Sequence, residues 1–164
     1  MATTTLGDNT VHTVGDLPPV GSAAPDFVLT GPDLADVPSD FNGHRTVLNI
    51  FPSIDTGVCA MSVRRFNELA AALDNTRVVC VSQDLPFALG RFCGAEGIDQ
   101  VVTASAFRSD FGQRYGLTMT DHALRGLLAR AVVVVDSDGT VIYEELVPAI
   151  GQEPDYDAAI ASLG

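Results

Sequence analysis

Cysteine is scarce in this chain: Cys59, Cys80 and Cys93 are the only three among 164 residues. Three are too few for a disulfide framework. Their spacing fits no zinc site, and His12, His44 and His122 form no ligand pair beside them. Positive charge is scarce as well. Nine basic residues face 21 acidic ones, giving a formal net charge of −12 and a pI near 4.3. Such a surface repels phosphate backbones and anionic membranes, which argues against nucleic-acid and membrane partners. Long hydrophobic runs are missing too. The longest, such as "ARAVVVVD", fall far short of the roughly 20 apolar residues needed to span a bilayer. The opening "MATTTLGDNT" has no basic segment followed by an apolar stretch, so no secretory signal is read and the cytoplasm is the expected compartment. Disulfides there are usually transient and catalytic.

What is present describes a globular chain. Hydrophobic residues make up 46% and charged residues 18%, enough for a core without staples. A single domain over residues 1–164 is expected, with residues 1–15 forming an N-terminal β-hairpin that turns at Gly7 to Asn9. "GDLPPVGSAAPDF" reads as an extended connector, and the stretch from "FVLTGP" to Gly43 as weak strands or loops. "TVLNIF" (46–51) and "TRVVCVSQ" are buried strands. Between them Ser62, Phe66, Leu69, Ala70 and Leu73 recur at helical spacing. "PFALGRFC" reads as a short helix with proline at its start and Gly94 at its end. "QVVTAS" is a further strand, "SDFGQRYG" an irregular or partly helical stretch, and "EPDYDAAIASLG" a closing helix. "ARAVVVVDSDGTVIYEEL" is a strand pair turning at Asp138-Gly139. The order predicts an α/β domain with a mixed sheet.

One junction carries the chemistry. In "PSIDTGVCA" a single cysteine follows a buried strand and a proline-bearing turn, just where a helix begins. Thr56 suits the N-cap, which puts Cys59 in the first turn, facing unpaired N–H groups and the positive end of the helix dipole. That setting favours thiolate over thiol, provided the Asp55 carboxylate points away. Ionisation alone is not enough. Lowering a thiol pKa from about 8.5 to about 6 raises the thiolate fraction at pH 7 roughly thirtyfold. Falling nucleophilicity takes back on the order of tenfold. A fast cysteine enzyme must therefore also polarise the group attacked, with oriented donors in a dry site. Thr56 and Arg130 are candidates; Arg45, Arg64 and Arg65 are rivals to Arg130 that spacing does not rank. The residues "CAMS" lack the second sulfur of a C-x-x-C motif, so a redox partner must come from elsewhere. Cys80, inside "VVCV", reads as an inert core thiol. Cys93, at a helix end before glycines, is the better partner because backbone there unwinds cheaply.

"NIFPSIDTGVCAMSVRRFN" resembles the active-site stretch of the bacterial thiol peroxidases, a branch of the peroxiredoxins. The likeness continues through "CVSQDLPFALGRFCGAEG", "SAFRSDFGQRYGL", "GLLARAVVVVDSDGTVIYEELV" and "EPDYDAAIASLG", nearly the whole chain. The resemblance implies a thioredoxin-like fold: a mixed central sheet flanked by helices, with an N-terminal β-hairpin. It implies an atypical two-cysteine enzyme that reduces hydrogen peroxide and organic hydroperoxides in antioxidant defence, needing no cofactor or metal. By position, Cys59 is the peroxidatic and Cys93 the resolving cysteine, joined after reaction in an intramolecular disulfide. Thr56 and Arg130 are then the peroxide-activating pair, and Pro52 shields the pocket. Thioredoxin is the implied electron donor and a homodimer the implied assembly. One departure stands out: His122-Ala123 replaces what is often Gly-Pro, beside a loop near the pocket. A protein–disulfide exchange factor and a non-enzymatic redox sensor are the alternatives. The missing C-x-x-C counts against the first, and a lack of steady-state turnover would mark the second.

Overall fold

The computed structural model describes every residue, Met1–Gly164. Strands β1 (Thr3–Leu6) and β2 (Asn9–His12) pair antiparallel as a small separate sheet, the predicted hairpin. The main sheet has seven strands: β3 (Val28–Thr30), β4 (Asp36–Pro38), β5 (Arg45–Ile50), β6 (Thr76–Ser82), β7 (Val102–Ser105), β8 (Ala131–Val135) and β9 (Val141–Leu146). Their spatial order is β4-β3-β7-β6-β5-β8-β9. β5, β6 and β7 run parallel; β8 and β9 join β5's other side antiparallel. Helices α1 (Gly57–Ala70) and α2 (Pro86–Glu96) cross between the parallel strands. The short α3 (Phe111–Arg114) and the closing α4 (Tyr156–Ala161) follow β7 and β9. The sheet is mixed, the helices flank it, and the fold is thioredoxin-like, as the sequence led us to expect.

β5 and β8 read as continuous apolar runs because both of their faces are covered. Alternation along each strand divides the core in two. Leu48, Ile50, Val79, Val81, Val133 and Val135 face one cluster. Val47, Val78, Cys80, Val132 and Val134 face the other, together with Cys59, Val63 and Phe66 of α1. Phe66 has no exposed surface and meets Tyr156 of α4 edge-on at 5.2 Å between ring centroids. Burying such a ring contributes about 1.5–3 kcal/mol.

Two details differ from expectation. Helix α2 does not end at Gly94, which lies inside it. It runs to Glu96 and stops at Gly97, whose φ of 66° is the left-handed conformation that closes a helix. A lone glycine costs a helix only about 1 kcal/mol, and the left-handed turn at Gly97, whose N–H returns to the Cys93 carbonyl, sets the end. The 28–38 stretch forms a real strand pair, because its edge joins β7 through Thr30 and Ser105.

Candidate active site

The register of β5 against β8 builds the site. Ile50 pairs with Ala131, so the residue leaving the end of β5 lies level with the residue entering β8. The first leads through Phe51 and Pro52 into α1; the second is Arg130. Arg130 also alternates with Val132 and Val134, which fixes its side chain on the face that α1 covers. The guanidinium is 1% exposed. Its Nη2 donates to Cys59 Sγ at 3.1 Å, and its Nε donates to the Ile150 carbonyl at 2.9 Å, beyond the end of β9. Its Nη1 is buried and has no partner. A buried cationic donor left open beside a cysteine sulfur is costly unless something else completes it.

Cys59 is the third residue of α1 and has no exposed surface. The helix has no side-chain cap and no acidic residue in its first turn. The N–H groups of Gly57, Val58 and Cys59 therefore point at the sulfur's end of the helix without intrahelical acceptors. Asp55 does not oppose them, because its carboxylate turns outward to Arg91 at 3.1 Å. Pro52 is buried at the turn.

Thr56 corrects the capping expectation. It occupies the N-cap with extended backbone, but its side chain does not cap. Its hydroxyl donates to the Ser53 carbonyl at 3.0 Å, which also accepts from the Thr56 N–H at 3.2 Å. With the hydrogen so engaged, the oxygen offers lone pairs, so Thr56 is an acceptor at the rim.

The rivals to Arg130 are occupied elsewhere. Arg45 donates to the carbonyls of Leu163 and Asp74, Arg64 pairs with Glu96 at 2.7 Å, and Arg65 pairs with Glu68. All three cysteines are free. Cys93 is half-buried in the last turns of α2, its sulfur 3.3 Å from Thr103 Oγ1. Cys80 lies at a fully buried β6 position, and burial pushes its thiol up to about 12 despite a hydrogen bond from Asn49. That is the inert core thiol expected of it.

Sequence reasoning missed Asp84, Ser53 and the Ile150 carbonyl, which hold the loop and the guanidinium in place. His122 sits in its loop at a φ of 61°, a conformation that glycine adopts freely and other residues seldom. That loop is tied to β2 by His12 and Asp121 at 2.7 Å, and its Leu124 packs on the cluster opposite to that holding Cys59. A surface cavity of about 710 Å³ lies apart from the site, among Asp26, Phe27, Arg108 and Arg114.

Comparison with known proteins agrees with this geometry. A family profile described as Redoxin matches residues 19–160. A thiol peroxidase of Mycobacterium tuberculosis is 60% identical over 165 residues, covering 100% of this chain and 99% of its own. One from Corynebacterium glutamicum is 57% identical over 164 residues, covering 99% of each chain. Among solved structures, a peroxiredoxin-like protein from Aquifex aeolicus superimposes with a TM-score of 0.95 at 38% identity, over 99% of this chain and 96% of that one.

Proposed function

The chain belongs to the Redoxin family and is a thiol peroxidase of the peroxiredoxin type; from that premise we propose that Cys59 is its peroxidatic cysteine and Cys93 its resolving one. The observation that carries the reading is the buried Arg130 guanidinium, with one nitrogen on the Cys59 sulfur and another lacking any partner. The open Nη1 is a ready donor for a peroxide oxygen held beside the sulfur.

The Cys59 thiolate attacks the hydroperoxide oxygen that carries the hydrogen. The O–O bond breaks, the sulfur loses two electrons, and the departing alkoxide takes a proton and leaves as alcohol, or as water from hydrogen peroxide. Cys59 becomes a sulfenic acid. Nη1 of Arg130 and the first-turn N–H groups support the charge that grows on the oxygens. Thr56 accepts from the peroxide hydrogen and so turns the correct oxygen to the sulfur. Pro52 keeps water from that edge. Because Cys59 has no exposed surface, the rim from Pro52 to Val58 must give way to admit peroxide.

The Cys93 thiolate then attacks the sulfenic sulfur and forms the Cys59–Cys93 disulfide; the S–O bond breaks and the hydroxide leaves as water with the proton that the Cys93 thiol gave up. A disulfide needs Cα atoms within about 7 Å. The two sulfurs sit on different helices, so the first turn of α1 and the end of α2 unwind together. Reduced thioredoxin restores the dithiol, in keeping with a cytoplasmic enzyme, and the chain works as a homodimer.

The test is turnover of cumene hydroperoxide with a thioredoxin system. Cys59→Ser abolishes it. Cys93→Ser completes one round of peroxide reduction and stalls with thioredoxin, but cycles with dithiothreitol. Full turnover by Cys59→Ser, or a disulfide mapped to Cys80 after one equivalent of peroxide, would sink the assignment.

A further inference from the structure

Asp84 lies between β6 and α2, one residue before Leu85, the N-cap of α2. Its carboxylate is filled entirely by neutral donors. Oδ1 accepts from Ser53 Oγ at 2.8 Å, while Oδ2 accepts from the Ile54 N–H at 2.7 Å and from Ser82 Oγ at 2.6 Å. Its own N–H donates to Ser82 Oγ at 3.2 Å, and its carbonyl accepts from Ser105 Oγ at the end of β7. No cation pairs with it. One acidic side chain thus fastens the loop that enters α1 to the root of the helix that carries Cys93.

The fastening reaches the chemistry through Ser53. Its carbonyl holds both the hydroxyl and the N–H of Thr56, three residues ahead of Cys59. Resting on the assignment of Cys59 and Cys93 above, we propose that Asp84 is a positioning residue that speeds the peroxide step and restrains the disulfide step. Holding Ser53 and Ile54 aims Thr56 at the peroxide. The same hold must be released before the first turn of α1 can swing toward Cys93. Hydrogen bonds to a charged acceptor are among the stronger ones in proteins, so the restraint is substantial.

Asp84→Asn keeps the shape but offers one carbonyl oxygen where the carboxylate offered two. The Ser53 hydroxyl can rotate to suit an amide NH₂; the Ile54 N–H cannot. Ser53→Ala removes the Oδ1 contact and the bond that Ser53 Oγ accepts from the Asp55 N–H at 3.2 Å, and leaves Ile54 held. Rates are read by quenched flow and mass spectrometry. Sulfenate formation is followed in the Cys93→Ser background, and disulfide closing in the chain with both cysteines. Asp84→Asn should slow sulfenate formation about tenfold and quicken closing about threefold, with Ser53→Ala shifting both in the same directions by less. A residue that merely holds the fold together would slow both steps or leave both alone, and either result in both variants overturns the proposal. If Asp84→Asn does not fold, Ser53→Ala decides by the same signs. Failure of the cysteine assignment shows separately, as a disulfide mapped elsewhere in the unsubstituted protein.

Discussion

The two ends of helix that carry Cys59 and Cys93 are built to opposite rules. Cys59 sits in the first turn of α1 with no exposed surface, a guanidinium on its sulfur, and a loop ahead of it pinned by Asp84. Cys93 sits in the last turns of α2, half-buried, with only a threonine hydroxyl beside its sulfur. Behind it the helix closes on Gly97, whose N–H and that of Ile98 both return to the Cys93 carbonyl. Gly94 further weakens the same turn. Nucleophilic attack on peroxide needs fixed donors, because charge must be stabilised as it forms. Attack on a sulfenic acid carried by another helix needs backbone that yields. On the proposed roles, one end is held until the sulfenic acid has formed and the other is easy to release.

The strongest way to break this contrast is to remove the guanidinium. Arg130→Met should lower the peroxide step by about 10²–10³-fold, the scale of losing an oriented donor in a dry site. Arg130→Lys should lose nearly as much, because a point charge cannot serve the Ile150 carbonyl, the sulfur and a peroxide together. Stopped-flow peroxide consumption measures both, and the alkylation rate of Cys93 should stay as it was.

Next in size is the loosening of α2. Gly94 lies inside the helix with open space around its Cβ position. Gly94→Ala should stabilise the protein by about 0.5–1 kcal/mol. If closing requires this turn to unwind, the disulfide step slows by up to about fivefold. Gly97→Ala acts in reverse: at a φ of 66° it should cost about 1 kcal/mol and lower the melting temperature by a few degrees. Equal closing rates in the two variants would contradict an α2 that unwinds.

Cys80 sharpens the comparison as a third thiol, fully buried in β6. Its folded-state pKa of about 12 lies above the ordinary value of 9.0. The folded chain therefore holds that proton more tightly than the unfolded one, so the stability linked to it is complete below pH about 9 and is lost as pH rises toward 12. Denaturant unfolding across that window should show the loss, and Cys80→Ala should flatten it. Native iodoacetamide should modify Cys93 and spare Cys80.

The smallest effect belongs to the outer tie between the two elements. The exposed pair of Arg91 and Asp55 should contribute no more than about 0.5 kcal/mol, less in high salt, so Arg91→Ala leaves the melting temperature nearly unchanged.

Much of this was legible before any coordinates. Apolar runs, helical spacing and the Asp138-Gly139 turn located β5, α1, β6, β8 and β9. The proline-bearing turn and Thr56 located the helix that begins at Gly57, and Cys80 was read as core because its neighbours are valines. The misplaced end of α2 shows the limit. Two glycines three residues apart both suit a helix end, and only Gly97 takes the left-handed conformation that closes one.

The sequence by itself determined which segments are strands and helices and that one cysteine opens a helix, because hydrophobic periodicity, turn residues and capping preferences act over a few residues. Only the tertiary structure decided which arginine serves that cysteine. Arg130 is 71 residues away, and its place depends on the antiparallel register of β8 on β5. It also decided that Asp84 clasps the loop through Ser53 and Ile54, about 30 residues before it. Such contacts join parts of the chain whose spacing carries no period, so they come into being only when the sheet assembles.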